Sequence, residues 1–128
     1  MSQLKFIQYN MQHSRNATVE LKELAIQEKE NTVILIQEPY VYGGKPTSFP
    51  PGYRVITPSD YTKQKPARTA IAYSPDLDLV KHDATSRDAT LAICNTKQGP
   101  VIVASIYCDI NGDFTDIDKL GKLATETQ

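Results

Sequence analysis

The stretch Thr32-Val33-Ile34-Leu35-Ile36, running into Gln37-Glu38-Pro39-Tyr40, decides how this chain is read. The apolar run is unbroken, rich in β-branched residues and too short for an ordinary helix. A run without polar alternation suits a strand covered on both faces. Upstream, Leu4-Lys5-Phe6-Ile7-Gln8-Tyr9-Asn10 also has strand composition, and Met11 to Asn16 is polar and turn-like. Between them Ala17, Leu21, Leu24 and Ala25 recur at helical spacing. Asn16 or Thr18 is the expected cap. The helix is expected to end near Glu30-Asn31, where asparagine tolerates a left-handed backbone. Strand, helix and strand make a βαβ unit, which implies two parallel strands.

Downstream the character changes. Gly43-Gly44, Pro46, Pro50-Pro51-Gly52, Pro58 and Pro66 punctuate a region read as long loops around a short strand, Tyr53 to Ile56. Four short strands follow, at Thr69 to Tyr73, Leu77 to Lys81, Thr90 to Asn95 and Pro100 to Tyr107. Their links are too short for crossovers, so antiparallel pairing is expected, with a hairpin at Asn95 to Gly99. Near the end, Phe114, Ile117, Leu120 and Leu123 step by three and predict a last helix, capped by Asp113 or Thr115.

The chain has 128 residues, a single domain's worth, with 40% hydrophobic and 23% charged residues. That composition excludes collagen, coiled coil and wholesale disorder. No apolar run is long enough to span a bilayer, so no membrane partner is expected. The N-terminus has no basic region leading into an apolar stretch, so no secretory signal is expected. Cys94 and Cys108 are expected as free thiols, and neither has the neighbours a metal site needs. The net charge of −1 excludes a bulk polycation. Locally, Lys45, Arg54, Lys63, Lys65 and Arg68 face only Asp60, a balance that can steer a polyanion.

Three polar residues sit at the ends of expected core strands: Asn10, Glu38 and Tyr107. In a packed α/β sheet such ends converge on one rim. A carboxylate directly after a buried run is costly without a partner. Mg²⁺ is one such partner, since it takes one or two carboxylates and keeps several waters.

The ordered set Phe6 to Asn10, Val33 to Tyr40, Arg68 to Tyr73 and Val103 to Tyr107 resembles the endonuclease/exonuclease/phosphatase superfamily, which includes abasic-site endonucleases and DNase I. Within it, the Asn10 to Thr18 stretch and the Gln37-Glu38-Pro39-Tyr40 box are similar to the endonuclease domain of non-LTR retrotransposons. The resemblance covers residues 4–110. It implies an α/β (α+β) fold, the N-terminal half of a DNase I-like four-layer sandwich, with a mixed β-sheet and helices on one face. It implies Mg²⁺- or Mn²⁺-dependent phosphodiester hydrolysis. Glu38 would be a metal ligand, Asn10 would hold the site and its waters, and Tyr107 would contact the scissile phosphate. His13, Arg15, Tyr40 and Arg68 would lie near the same rim and touch DNA.

The resemblance has one large departure. The family's later Gly-Asp-Phe-Asn and Ser-Asp-His motifs have no counterpart. Gly112-Asp113-Phe114-Thr115 lies too close to Tyr107, lacks a buried strand before it and has threonine for asparagine. His82 falls in a turn and is a poor replacement base. Residues 1–128 are therefore expected to be an incomplete domain, ending after its first sheet, with an apolar sheet face exposed.

The expected function is a fragment of an endonuclease that nicks target DNA for target-primed reverse transcription, inactive alone. Its expected partners are DNA, the missing C-terminal half and a reverse transcriptase domain of the parent polyprotein. Its expected location is intracellular, and nuclear by role. The alternatives are a non-catalytic DNA-binding or interaction remnant, and half of a host abasic-site repair nuclease.

Overall fold

The structure, a computed structural model, describes residues 4–108. The helix expected over residues 113–123 lies outside the described residues. In chain order the elements are β1 (Lys5–Asn10), α1 (Arg15–Gln27), β2 (Thr32–Gln37), β3 (Val41–Tyr42), β4 (Lys45–Pro46), β5 (Arg54–Ile56), β6 (Thr69–Tyr73), β7 (Leu79–Lys81), β8 (Ala89–Thr96) and β9 (Gly99–Ile106). β1 and β2 pair in parallel across α1, as a βαβ unit requires. β6 joins β2 antiparallel and β5 joins β6, giving a mixed sheet in the order β1-β2-β6-β5. β7, β8 and β9 form a second, antiparallel sheet.

The two sheets lie face to face. β2 packs on β9, and β6 packs on β8 and β9. Alternation along each strand sorts the side chains. Val33, Ile71 and Tyr73 point inward and meet Leu79, Ala92, Cys94 and Val103 of the second sheet. Ile34, Ile36, Ala70 and Ala72 point outward and meet Leu21 and Ala25 of α1. The two alanines on β6 leave room for that close helix. β2 is buried on both faces, as its unbroken apolar run predicts.

One expectation is overturned. The chain does not stop after a first sheet with its apolar face bare. It carries strands of both sheets and closes an inter-sheet core from its own residues. The reason is that β7–β9 follow β6 by short connections and fold back over it. Polar groups also tie the layers together. The Thr69 and Thr90 hydroxyls are 2.8 Å apart, and Ser105 Oγ donates to the Ile36 carbonyl at 2.6 Å.

Local details differ too. Ser14 caps α1, not Asn16 or Thr18, because its backbone is extended and its Oγ accepts from the Asn16 and Ala17 amides. Thr18 lies one turn inside, donating to the Arg15 carbonyl. The helix ends at Gln27, earlier than expected. Asn31 is left-handed, φ 54°, but it serves the turn into β2, where its N–H is held by the Asp76 carboxylate. Within the expected loop, β3 and β4 form a small hairpin around Gly43-Gly44. Strands of two residues leave no periodicity to read.

Both thiols are free, as expected. Cys94 is buried, and burial first, then the nearby Asp78 charge, pushes its thiol up. Cys108 is exposed. A thiol reagent at neutral pH is expected to modify Cys108 readily and Cys94 only after unfolding. Mass spectrometry of the native protein checks this, and two rapid modifications would contradict the buried placement.

Candidate active site

Parallel pairing brings the ends of β1 and β2 to the same rim. Asn10 is in register with Gln37, and Gln37 with Thr69, where antiparallel β6 begins. Arg68 therefore stands at that rim, and its carbonyl accepts the Glu38 N–H at 2.9 Å. β9 ends there as well, with Tyr107 just beyond it. Gln8, Asn10, Gln37, Ile106, Tyr107 and Cys108 line a polar cleft at this rim. Roomier clefts open around Leu4 and Asn31, at the opposite ends of the strands, away from these residues.

The loop after β1 is tightly built. Asn10 Oδ1 accepts the Gln12 N–H at 2.9 Å, and the Ser14 N–H returns to the Met11 carbonyl at 2.9 Å. Gln12 and His13 between them are left-handed, φ 50° and 55°. Glu38 is left-handed too, φ 48°. Each such residue costs roughly 1–3 kcal/mol, held by its surroundings. Met11, 1% exposed, anchors this loop beneath. The Met11 N–H donates to the Gln37 carbonyl and the His13 N–H to the Glu38 carbonyl, both at 2.9 Å.

These bonds set His13 beside Glu38. His13 Nδ1 lies 3.0 Å from the Pro39 carbonyl, which can only accept, so Nδ1 carries a proton. Nε2 then faces Glu38 Oε1 at 3.9 Å. On a neutral ring both atoms are acceptors, so no hydrogen bond joins them directly.

Arg68 and Tyr107 form a second unit. The Arg68 guanidinium makes a bidentate pair with Asp88, 2.6 and 2.7 Å. Its carbon lies 4.4 Å from the Tyr107 ring centroid, a cation–π distance. The Tyr107 N–H donates to the Asp88 carbonyl at 2.8 Å. Arg68 thus holds Tyr107 in place through Asp88. Of the other sequence-derived residues, Arg15 is exposed at the start of α1, and Tyr40 is half-buried against the helix-side core.

Sequence reasoning missed Asp88 and Gln37. Nothing in the Arg87-Asp88 dipeptide distinguishes it from an ordinary turn. Gln37 stands inside the box already quoted, and its inward register could have marked it. It is 7% exposed and donates through Nε2 to Ser105 Oγ at 3.0 Å. Ser105 donates its own proton to the Ile36 carbonyl, so it must accept from Gln37, which fixes the amide's orientation. Gln37 Oε1 is then a buried acceptor without a hydrogen-bond donor among the described residues. His82 is a turn residue: its Nδ1 accepts the Ala84 N–H at 3.0 Å.

A hard divalent cation fits this donor set only in a water-rich form. Among the described residues no group of three or more His, Cys, Asp or Glu is gathered. Glu38 offers one carboxylate and Gln37 a neutral oxygen, while the Asn10 oxygen already accepts the Gln12 N–H. One carboxylate with several retained waters is within the range of Mg²⁺.

The fold, a βαβ-led mixed sheet facing an antiparallel sheet, is similar to that of solved endonuclease-domain structures. One such structure is the endonuclease domain of TRAS1, a telomere-specific non-LTR retrotransposon, with a TM-score of 0.74 and 23% sequence identity. The match covers 96% of this chain and 53% of that one, so this chain spans about half the neighbour's length. At that identity the likeness establishes the fold. No protein-family description and no curated protein matches the sequence.

Proposed function

We propose that this chain is the N-terminal part of a divalent-metal-dependent DNA endonuclease domain of the non-LTR retrotransposon kind, inactive by itself. The observation that supports this reading is that Asn10 and Tyr107 line one polar cleft, with Glu38 following Gln37 at the same end of β2. In this reading Glu38 holds Mg²⁺ or Mn²⁺ with its waters. The metal supplies Lewis-acid stabilisation of a phosphoryl oxygen when bound. Asn10 keeps its Nδ2 donors directed to the site because its Oδ1 is occupied by Gln12. Tyr107, braced by Arg68, presents its hydroxyl to a phosphate. His13 Nε2 shares the Glu38 carboxylate.

DNA is the proposed substrate, with exposed Lys63 and Lys65 near Arg68 as phosphate contacts. The rest of the domain and a reverse transcriptase domain are the proposed partners in the parent polyprotein. The proposed site of action is the nucleus.

Two measurements test the reading. Mn²⁺ titration followed by electron paramagnetic resonance is expected to show weak binding. Glu38→Gln is expected to reduce it by about tenfold or more, since it removes the one anionic ligand. Equal binding by both proteins would sink the assignment of Glu38. On supercoiled DNA with Mg²⁺, the chain alone is expected to show no nicking above background. Robust cutting abolished by Glu38→Gln would show that the remainder of the domain is dispensable.

A further inference from the structure

Gln12, His13 and Glu38 all hold left-handed backbones without being glycine, φ 50°, 55° and 48°. Such positions persist only where the surroundings over-determine them, and they cluster at functional sites. Here two chain segments are laced together. The Met11 N–H meets the Gln37 carbonyl, the His13 N–H meets the Glu38 carbonyl, and the His13 ring meets the Pro39 carbonyl. The lacing brings Nε2 of His13 to 3.9 Å from Oε1 of Glu38. Among the described residues neither atom has a hydrogen-bond donor. A strained turn therefore aims two lone pairs at the same small space.

We propose that His13 Nε2 is a metal ligand, which shares one divalent cation with Glu38 Oε1 and tilts the site from Mg²⁺ towards first-row transition ions that take imidazole, such as Co²⁺ and Zn²⁺. The inference rests on the metal-dependent reading above and deepens it, by naming which ions Glu38 holds. A metal-bound histidine commonly donates its other ring N–H to a carboxylate or backbone carbonyl, which fixes its tautomer. The Pro39 carbonyl does this for His13. Two ligands at right angles, each about 2.1 Å from one ion, stand about 3 Å apart. The 3.9 Å gap closes to that by a small turn of either side chain. Both side chains are partly exposed, 42% for His13 and 22% for Glu38, so a hydrated ion can enter and keep its remaining waters. Mg²⁺ prefers oxygen ligands and gains little from the ring, whereas transition ions gain a nitrogen.

A ring that served only as a peg for the loop would need Nδ1 alone. His13→Asn separates the two roles. Asparagine tolerates a left-handed backbone and its amide N–H can reach the Pro39 carbonyl, but it has no counterpart of Nε2. The chain's other histidine, His82, serves as the control, since its Nδ1 accepts the Ala84 N–H in a turn.

The test uses the full chain without an affinity tag. Bound Mn²⁺ is read by pulsed electron paramagnetic resonance, with ¹⁵N-labelled histidine to identify imidazole coupling. The wild type is expected to show that coupling and His82→Asn to keep it. His13→Asn is expected to lose it, and Glu38→Gln to lose it along with the ion. Co²⁺ and Mg²⁺ are then used to displace Mn²⁺. The Co²⁺-to-Mg²⁺ affinity ratio is expected to fall about tenfold or more in His13→Asn, while its Mg²⁺ affinity stays within about twofold of wild type. The coupling in the wild type and in His82→Asn decides the matter even if His13→Asn unfolds. Bound Mn²⁺ without imidazole coupling, coupling that survives His13→Asn, or an unmoved ratio would overturn the proposal. Glu38-dependent Mn²⁺ with oxygen ligands alone sinks the His13 assignment and leaves the metal-dependent reading standing. An ion held by both residues that shows no phosphorus coupling with added duplex DNA sinks the endonuclease reading alone. No Mn²⁺ binding sinks both.

Discussion

Ile71→Ala is expected to lower the unfolding free energy by about 2–5 kcal/mol. Ile71 is 0% exposed and sits on β6, between β2 and β5 and facing the second sheet. Its side chain fills the space among Val33, Tyr73, Ala92 and Val103. None of these can follow it inward without shifting a strand, so a cavity remains. A domain of this size has only about 5–15 kcal/mol of stability in all, so the loss is a large share. Urea denaturation followed by far-ultraviolet circular dichroism measures it. The midpoint is expected to fall while the denaturant slope stays constant. A loss below about 0.5 kcal/mol, the level of an ordinary surface substitution, would mean that the two sheets are not packed as described.

Gly44→Ala is expected to be nearly as damaging, through a different route. Gly44 is left-handed, φ 86°, and an added Cβ would stand 2.1 Å from the Thr62 carbonyl oxygen. That atom is backbone and cannot rotate away. The Ala67 N–H also donates to the Gly44 carbonyl at 3.0 Å, which locks the hairpin under the 62–67 loop. Alanine at a left-handed position already costs more than about 1 kcal/mol, and the collision adds to that. Gly43→Ala separates the two causes: Gly43 is left-handed as well, φ 60°, but a Cβ there meets nothing within 4 Å. Thermal unfolding is expected to rank wild type above Gly43→Ala and Gly43→Ala above Gly44→Ala. Equal effects at both positions would remove the steric part of the explanation. The loop displaced by Gly44→Ala carries Lys63 and Lys65 and leads into Arg68, so the second unit of the site is expected to loosen with it.

Much of the rim was legible before the structure. Asn10 and Glu38 close strands whose composition is unmistakable, and parallel pairing then forces both to one end. Tyr107 was placed by the same logic at the end of β9. The support around them was not legible. The Arg68–Asp88 pair joins residues twenty positions apart, and neither residue type distinguishes a half-buried brace from a surface charge. The left-handed turn at Gln12-His13 lacks the glycines that usually announce one. Ser14, not Asn16, became the cap because that turn delivers it extended to the first free helix amides.

Sequence alone determined the elements that depend on local pattern. The unbroken Thr32 to Ile36 run, the helical stripe from Ala17 to Ala25 and the Asn95 to Gly99 hairpin needed no tertiary information, because periodicity and turn chemistry are local. Tertiary structure decided whether the core was complete. Short links after β6 let β7–β9 fold over it, so the described residues bury an inter-sheet core of their own. Layer order depends on contacts between residues far apart in the chain. No local spacing records which strand lies over which.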